Sequence, residues 1–546
     1  MTLRWTALAA ITASALAVGC SDGGGGGAVV SGGGSGSGGG GGSSGPTYTP
    51  GVFAASSVFA DRCENPRTGV DITGAPFPDR AGSILEENFF LRSWTEETYL
   101  WNDEVTDQNP GNFNSPTAYF EELRTFALTP SGKEKDDFHF FEPTADVTAR
   151  INSAPSSGYG FSLVVFSTFP PRDYRIAYTE PGSPAAQEVG GTANFIRGTR
   201  ILEIDGVDLV NGGTNQQEID ILNAGLFPAT TGETHEFVVE DPGGSPRTIS
   251  VTSANVVESP VLETEIISTP TGDVGYILFN TFGVNASEEA IADAISTLDA
   301  AGVTDLVLDL RYNGGGFLAI AAQLGYMIAG PGPTSGETFE ALRFNTGTGG
   351  VNPVIGGPNN PVPFYSTGLG FTVPNGAALD SLDLDRVFIL TTGGTCSASE
   401  AVINGLRGVD IEVILIGDTT CGKPFGFYPR DNCGTTYYTI QFQGVNAKGF
   451  GDFADGFIPG NSSAAFGVRA PGCVVDDDFD NQLGSTSEAL LAAALQFRQD
   501  GSCPALPTSS SIIAEGSTSI ATGGLATLRP EDVYVMRNNR DMRTPY

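Results

Sequence analysis

Three apolar runs constrain the fold of this chain more than any other feature of its sequence. They are "DLVLDL", "RVFILTT" and "IEVILIG", and each is followed by a turn containing glycine, serine or threonine. Helical patterns such as "SEEAIADAISTLDAAG" and "SEAVINGLRG" alternate with them. Buried strands that alternate with helices are typical of β-α-β units. The sequence therefore predicts an α/β fold, with its core at residues 260–503.

Other regions flank this core or interrupt it. Residues 46–150 combine an irregular segment with a small helical region, since apolar residues recur at helical spacing between 81 and 127. Residues 156–255 contain short β-rich runs separated by turns. A loop-rich insertion is expected at 331–385, and a polar, irregular tail at 504–546.

The N-terminus is typical of an exported protein. "MTLRWTALAAITASALAVGC" has one arginine, an apolar run too short to span a bilayer, and small residues before Cys20. Its last residues resemble the lipobox of bacterial lipoproteins, which predicts a signal peptide at 1–20 and a lipid on Cys20; an ordinary export signal is the alternative. The glycine- and serine-rich stretch 21–45 predicts a tether of roughly 25–30 Å to a lipid bilayer. Ser21 favours the outer membrane of a Gram-negative cell.

Charge and cysteine content narrow the possible partners. The formal net charge of -36 argues against nucleic acid, whose phosphates such a surface repels. Six cysteines follow Cys20, and an even number in an exported chain predicts disulfides, with fifteen possible pairings. No cysteine pair has CxxC spacing and the chain has two histidines, so no metal site is expected. The acidic run at 476–480 is expected to be a solvated turn.

The region 156–255 resembles a PDZ domain. Its "SSGYGFSLVVF", "EPGSPA" and "ILEIDG" follow the order of a PDZ strand, helix and strand. The resemblance places Gly158, Tyr159, Gly160 and Phe161 where PDZ domains hold a peptide's terminal carboxylate on backbone N–H groups. The alternative is that the two glycines only shape a turn.

The stretch "TCSASEAVINGLRG" raises the possibility of a nucleophile, either Ser397 or Ser399. A serine needs a base, yet His139 and His235 both lie outside the predicted core. Lysine can replace histidine when burial lowers its pKa. Lys423, in "CGKPFG" after an apolar run, is the best-placed candidate among the four lysines.

Together these residues resemble the C-terminal processing, or tail-specific, serine proteases. The shared elements are "SASE", a "GK" about 25 residues later, "DLRYNGG" and the upstream PDZ-like region. The resemblance implies an endopeptidase with Ser397 as nucleophile and Lys423 as general base. It further implies an oxyanion hole at Ala398 and a glycine, either Gly314 or Gly315, protein or peptide substrates recognised by their tails, and no cofactor.

Two departures from the family pattern are present. Phe427 stands where the family often has a glutamine that orients the lysine; Gln441 or Gln443 could replace it. Cysteines at 396 and 421 flank the two candidate segments, so a disulfide could fix their geometry, although either could pair elsewhere. The main alternative function is therefore a non-catalytic, peptide-binding PDZ lipoprotein on an inactive protease scaffold. A structural or carbohydrate-binding surface lipoprotein is a third hypothesis.

Overall fold

A computed structural model describes residues 45–71, 74–213, 215–506 and 539–541. The predictions of a signal peptide, a lipidated Cys20 and a tether over 21–44 lie outside these residues. Among the helices of the described ranges, none has the length and apolar character needed to cross a membrane.

Besides two short paired strands, Arg62–Cys63 and Arg80–Ala81, the N-terminal region is a small layer of helices with one further strand. Ser83 caps the first helix by accepting a hydrogen bond from the N–H of Glu86. Aromatic side chains of this helix, including Phe90 and Trp94, are buried against Phe120. Much of 81–127 is turn rather than helix, so the helical prediction was too extensive. The elements are α1 (Ile84–Thr98), α2 (Pro116–Phe120), β1 (Phe140–Pro143) and α3 (Thr144–Ile151).

The predicted β-rich region has its own sheet and its own apolar core. Its elements are β2 (Ser156–Gly158), β3 (Phe161–Ser167), β4 (Asp173–Thr179), β5 (Arg200–Ile204), α4 (Gln216–Leu226), β6 (Thr234–Glu240), β7 (Arg247–Thr252) and β8 (Ala254–Val256). The strand order is β7-β6-β5-β4-β3, so β3 lies at an edge, and β2 pairs separately with β8.

The main elements of the rest of the described chain form the predicted α/β core, which confirms the fold class. They are β9 (Val261–Ile267), β10 (Val274–Phe279), α5 (Ser287–Ala301), β11 (Asp305–Asp309), β12 (Gly315–Phe317), α6 (Leu318–Ala329), β13 (Thr338–Phe344), β14 (Arg386–Thr391), α7 (Ala398–Gly408), β15 (Glu412–Gly417), β16 (Phe425–Gly426), β17 (Thr435–Tyr438), β18 (Phe442–Val445), β19 (Gly472–Val474), α8 (Ala489–Asp500) and β20 (Asn539–Asp541).

The central sheet has the strand order β9-β10-β11-β14-β15-β19. All neighbouring strands run parallel except β9, which is antiparallel to β10. Helices α5, α6 and α7 bury one face of this sheet, and α8 covers the other. Because both faces are covered, the central strands β11, β14 and β15 are mostly apolar, as the three runs in the sequence predict.

Two segments predicted to be irregular contain strands. Within 331–385, β13 pairs with β18 in a second, smaller sheet. In the C-terminal tail, β20 pairs with β12. Both pairings join residues about a hundred or more positions apart, so local sequence patterns do not reveal them.

Candidate active site

Three segments meet at the carboxyl ends of neighbouring parallel strands. The first, 310–317, follows β11; the second, 392–400, follows β14; and the third, 418–426, follows β15. Ligand and catalytic sites of α/β sheets usually lie at this edge. The turns that follow the three apolar runs of the sequence therefore lie where such a site is expected.

Asn313 joins the first segment to the second. Its backbone carbonyl accepts hydrogen bonds from the N–H of Cys396 (3.1 Å) and the hydroxyl of Ser399 (2.9 Å). Its side chain donates to the carbonyl of Phe279 (2.9 Å) and accepts from the N–H of Gly315 (2.9 Å). Ser399 is thus engaged in holding the loops together, which leaves Ser397 as the candidate nucleophile.

Ser397 has an unusual backbone conformation at the start of α7. Its φ is 59° and its ψ is -107°, and the residue is fully buried. A residue other than glycine in a sparsely populated region costs on the order of 1–3 kcal/mol and persists only where its surroundings hold it. The next residue, Ala398, is the first of the helix, so its N–H has no acceptor within the helix.

Glu400 joins the second segment to the third. One carboxylate oxygen accepts the backbone N–H of both Ser397 (2.9 Å) and Lys423 (2.8 Å). The other accepts the N–H of Gly422 (2.9 Å) and the hydroxyl of Thr420 (2.5 Å). Burial raises the pKa of Glu400, although these hydrogen bonds oppose the shift. The carboxylate therefore fixes the two candidate catalytic backbones relative to each other.

A local sequence pattern accounts for only part of the role of Glu400. A glutamate three residues after a serine is the pattern of a helix capping box, and this part of the arrangement is present. The residues of the third segment that bind the same carboxylate lie 20–23 positions away. No local pattern announces such contacts.

Lys423 is fully buried between two aromatic rings. Its Nζ lies 4.5 Å from the ring centroid of Phe427 and 4.7 Å from that of Phe138, a residue of the N-terminal region. Gly422 must be glycine, because its φ is +88° and a Cβ there would lie 2.2 Å from the carbonyl oxygen of Ala454. The backbone before the lysine is consequently tightly packed.

The proposed substitutes for the family glutamine are bonded elsewhere. Gln441 accepts a hydrogen bond from the N–H of Tyr428 (2.8 Å), and Gln443 donates to the carbonyl of Gly451 (2.8 Å). An amide oxygen can accept a second hydrogen bond, so the hypothesis that either amide orients Lys423 stays a prediction. The ring of Phe427, which stands at the position of the family glutamine, packs against the lysine.

Neither histidine is suited to be the base. His139 Nε2 donates to the carbonyl of Phe120 (2.8 Å), so its Nδ1 is the acceptor towards Thr439 (3.2 Å). Burial lowers the pKa of His139 to about 4. His235 contacts Asp205 in the β-rich region. Both nitrogens of His139 thus have structural partners, which argues against a serine–histidine site.

A disulfide links the second and third segments. Cys396 and Cys421, 25 positions apart, are bonded to each other, as the sequence allowed. In the described ranges, Cys396, Cys421 and Glu400 are the only cluster of three or more His, Cys, Asp or Glu side chains close enough to share a metal ion. Both sulfurs are in the disulfide, and the carboxylate already accepts four hydrogen bonds from the protein, so these atoms are engaged otherwise. The other disulfides are Cys63–Cys433 and Cys473–Cys503.

Replacing Cys396 and Cys421 together by serine is expected to lower both stability and any activity of this site. A disulfide that closes a loop of this length contributes about 3 kcal/mol by constraining the unfolded chain. The loss should appear in urea denaturation. Substrate turnover should fall too, because the bridge flanks Ser397 and Lys423.

The bridge between Cys473 and Cys503 supplies the matched control. It spans 30 positions and joins β19 to a residue beyond α8, so neither of its cysteines belongs to the three segments. Its double serine variant should lose a similar free energy of unfolding while turnover by the folded protein is retained. Equal losses of turnover in both pairs would contradict a positioning role for the first bridge.

A buried network of ion pairs contacts Arg311 and Tyr312 of the first segment. Arg311 binds both Asp477 (2.7 Å) and Glu488 (2.8 Å), and Arg197 of the β-rich region binds Asp477 (2.6 Å) and the hydroxyl of Tyr312 (2.7 Å). Burial would raise the pKa of Asp477, but the two arginines lower it. The expectation of a solvated turn at 476–480 is therefore wrong for this aspartate. The network connects the β-rich region to the glycine loop.

The loop 158–161 is closely packed in the β-rich region. Gly160 has a φ of +78°, and a Cβ there would lie 2.3 Å from the Cβ of Ser183, so glycine is required. The hydroxyl of Tyr159 donates to the carbonyl of Gly225 near the end of α4 (3.0 Å). The loop leads directly into β3, the edge strand of the sheet.

The burial of Glu180 can be tested through the pH dependence of folding stability. The backbone N–H of this residue donates to the carbonyl of Gly160, so it adjoins the loop 158–161. Burial raises the pKa of Glu180 to about 7, against a hydrogen bond from the N–H of Ser259. The unfolded chain ionises this group more readily, so folding stability falls as the pH rises from about 4.5 to about 7. Glu180→Gln cannot ionise and should be more stable than the wild type by on the order of 3 kcal/mol at pH 8.

Near pH 4.5 the same substitution should have little effect. Calorimetric melting at both pH values, with the exposed Glu188→Gln as control, measures the difference. An identical shift in melting temperature at both pH values would contradict the assignment.

Two family models match this chain. The model of peptidase family S41 matches residues 273–427, which contain both Ser397 and Lys423, and that of the peptidase S41 N-terminal domain matches residues 86–138. A crystal structure from Bacteroides fragilis assigned to the S41 proteases has a TM-score of 0.56 at 22% identity. The match covers 78% of this chain and all of that one, which shows a shared fold.

Curated relatives carry names of the same kind. The chain is 25% identical over 304 residues to a chloroplastic C-terminal processing peptidase of Tetradesmus obliquus, covering 52% of this chain and 55% of that protein. It is 26% identical over 242 residues to a carboxyl-terminal-processing protease of Synechocystis, covering 44% and 47%. The chain thus spans about half the length of the curated relatives it matches.

Proposed function

From the peptidase family S41 domains that this chain carries, we propose that it is a serine endopeptidase with a Ser397–Lys423 dyad. The observation that supports this most is the carboxylate of Glu400. It binds the backbone N–H groups of both residues in one buried centre at the carboxyl edge of the sheet. Holding Ser397 in an unusual backbone conformation and burying Lys423 both cost free energy, which a catalytic role would explain.

The reaction proceeds through an acyl-enzyme. The neutral amine of Lys423 accepts the proton of Ser397 Oγ while this oxygen attacks the scissile carbonyl. The tetrahedral intermediate collapses, and the leaving amine takes the proton back from Lys423. Water then attacks the ester and loses a proton to Lys423. As the second tetrahedral intermediate collapses, Lys423 returns this proton to Ser397 Oγ, which releases the acid product and restores the free serine and the neutral amine. Burial disfavours a charged lysine, which favours the form that accepts the proton.

Backbone N–H groups stabilise the negative oxygen of the intermediate. Ala398 offers one at the start of α7. Of the two candidate glycines, Gly315 donates its N–H to Asn313, whereas that of Gly314 has no acceptor in the described part of the chain. Gly314 is therefore the second donor. Each such donor typically contributes about 3–4 kcal/mol.

The substrates are proteins with accessible C-terminal tails. In a PDZ-like region, a tail would add a strand to the open edge of β3 and place its carboxylate on the loop 158–161. Arg197 connects this region to the glycine loop through Tyr312, so occupancy of one can influence the other. A lipid on Cys20 would keep the enzyme at the membrane of the cell envelope.

Cleavage of an unstructured protein by residues 46–546 tests the proposal. The wild type and the exposed control Ser335→Ala should produce new termini, detected by mass spectrometry, and Ser397→Ala should not. A fluorophosphonate probe should label Ser397 in the first two proteins alone. A wild type that neither cleaves nor reacts, yet binds tail peptides, would support the non-catalytic PDZ alternative.

A further inference from the structure

The C-terminal strand β20 lies directly beside the candidate oxyanion loop. Asn539–Asp541 runs parallel to Gly315–Phe317, with Arg540 opposite Gly316. The strand also lies against Phe425–Gly426, which begins two residues after Lys423. It therefore occupies the gap between the glycine loop and the lysine segment, where the backbone of a substrate has to lie.

Gly316 offers the backbone groups that an extended segment needs. The carbonyl of Gly315 and the N–H of Phe317 bond to the backbone of Phe282, and backbone groups alternate in direction along a strand. The N–H and carbonyl of Gly316 consequently face β20. A Cβ at this position would lie 2.2 Å from the N of Gly283, so glycine keeps this edge in place. Such an edge accepts any extended peptide through its main chain.

The burial of Ser397 and Lys423 restricts the access of a substrate to them. Ser397 and Lys423 are both fully buried while β20 lies against the glycine loop and Phe425–Gly426. A scissile carbonyl must come within bonding distance of Ser397 Oγ. A substrate backbone and β20 cannot both occupy the edge of Gly316, so β20 has to leave first.

The charge of the tail favours its association with the rest of the chain. Residues 537–546 contain three arginines and one aspartate, whereas the whole chain has a formal net charge of -36. A cationic segment is attracted by an acidic body, and this attraction weakens with salt. Because the segment belongs to the same chain, its effective concentration can reach the millimolar range even if its intrinsic affinity is weak.

We propose that the segment Asn539–Asp541 is a built-in competitor that occupies the substrate cleft of its own chain. This inference rests on the proposed peptidase function, because the segment is taken to compete with peptide substrates. The occupant is held by main-chain pairing with Gly316, and substrates displace it.

A matched pair of substitutions in the full chain from residue 46 tests the proposal. Asp541→Pro removes a main-chain donor from the pairing, whereas Asp541→Ala retains it. Cleavage of an unstructured protein at low substrate concentration should rise about tenfold in the proline variant, as expected for release of a tethered competitor. The alanine variant should cleave like the wild type. Equal cleavage by all three proteins would overturn the proposal.

A binding measurement separates this inference from the proposed function. A fluorescent peptide of residues 532–546 is titrated into Ser397→Ala and into Ser397→Ala with Asp541→Pro, and its anisotropy is followed. Binding should be about tenfold tighter to the double variant, whose cleft is open. If this difference in binding appears while no protein cleaves, the docking of Asn539–Asp541 is supported and the proposed peptidase function is contradicted. If the wild type, Asp541→Pro and Asp541→Ala cleave alike and both Ser397→Ala proteins bind the peptide equally, the peptidase function is supported and the docking of Asn539–Asp541 is contradicted.

Discussion

Replacing Lys423 by methionine is expected to lower kcat/KM for an unstructured protein by about a thousandfold or more. A positioned general base contributes about 10²–10⁴-fold, and this lysine acts in both acylation and deacylation. Methionine retains an apolar side chain of comparable length between the rings of Phe427 and Phe138, so folding should be preserved. Lys423→Arg should be equally inactive, because an arginine stays protonated and cannot accept the proton.

Lys448→Met is the matched control. This lysine pairs with Asp410 at the surface and lies outside the three segments, so its loss should leave turnover unchanged. Wild-type kcat/KM, measured between pH 6 and 10, should rise with pH because only the neutral amine of Lys423 takes a proton. If Lys423→Met kept most of its activity, the base would have to be another group.

Much of this arrangement could be predicted because it depends on local patterns. The three apolar runs indicated buried strands, and the strand ends placed Ser397 and Lys423 in neighbouring loops. The small number of lysines and histidines narrowed the choice of base further. Strand periodicity and the chemistry of single side chains are both properties of a short stretch of sequence, so they can be read before the fold is known.

The remaining features depend on contacts between distant residues. Asp477 lies in an acidic run that looks solvated, yet it is buried because Arg197 and Arg311 converge on it from two other regions. The pairing of β20 with β12 joins segments more than two hundred residues apart. Likewise, the sequence shows Phe427 in place of a glutamine but not that its ring contacts Lys423. Such contacts follow from the whole fold and leave no periodic signal.

Glu400→Ala is expected to destabilise the protein by about 3–5 kcal/mol and to lower kcat/KM at least a hundredfold. The substitution leaves four buried donors without their acceptor, among them the N–H groups of Ser397 and Lys423, and an unsatisfied buried donor typically costs about 1–3 kcal/mol. Without the carboxylate, the Cys396–Cys421 bridge and the hydrogen bond from the N–H of Cys421 to the carbonyl of Thr395 still join the second and third segments, but neither holds the N–H groups of Ser397 and Lys423. Urea denaturation measures the first effect, and cleavage by the folded protein measures the second.

Glu400→Gln separates the loss of charge from the loss of shape. Glutamine fits the same space, but its NH₂ group faces at least one of the donors that the carboxylate accepts, and two donors repel each other. Activity should therefore remain low even if stability is partly recovered. Glu412→Ala, at an exposed position of β15, is the control and should change the free energy of unfolding by less than about 0.5 kcal/mol. Near-normal cleavage by both Glu400 variants would show that the Ser397 and Lys423 segments keep their geometry without this carboxylate.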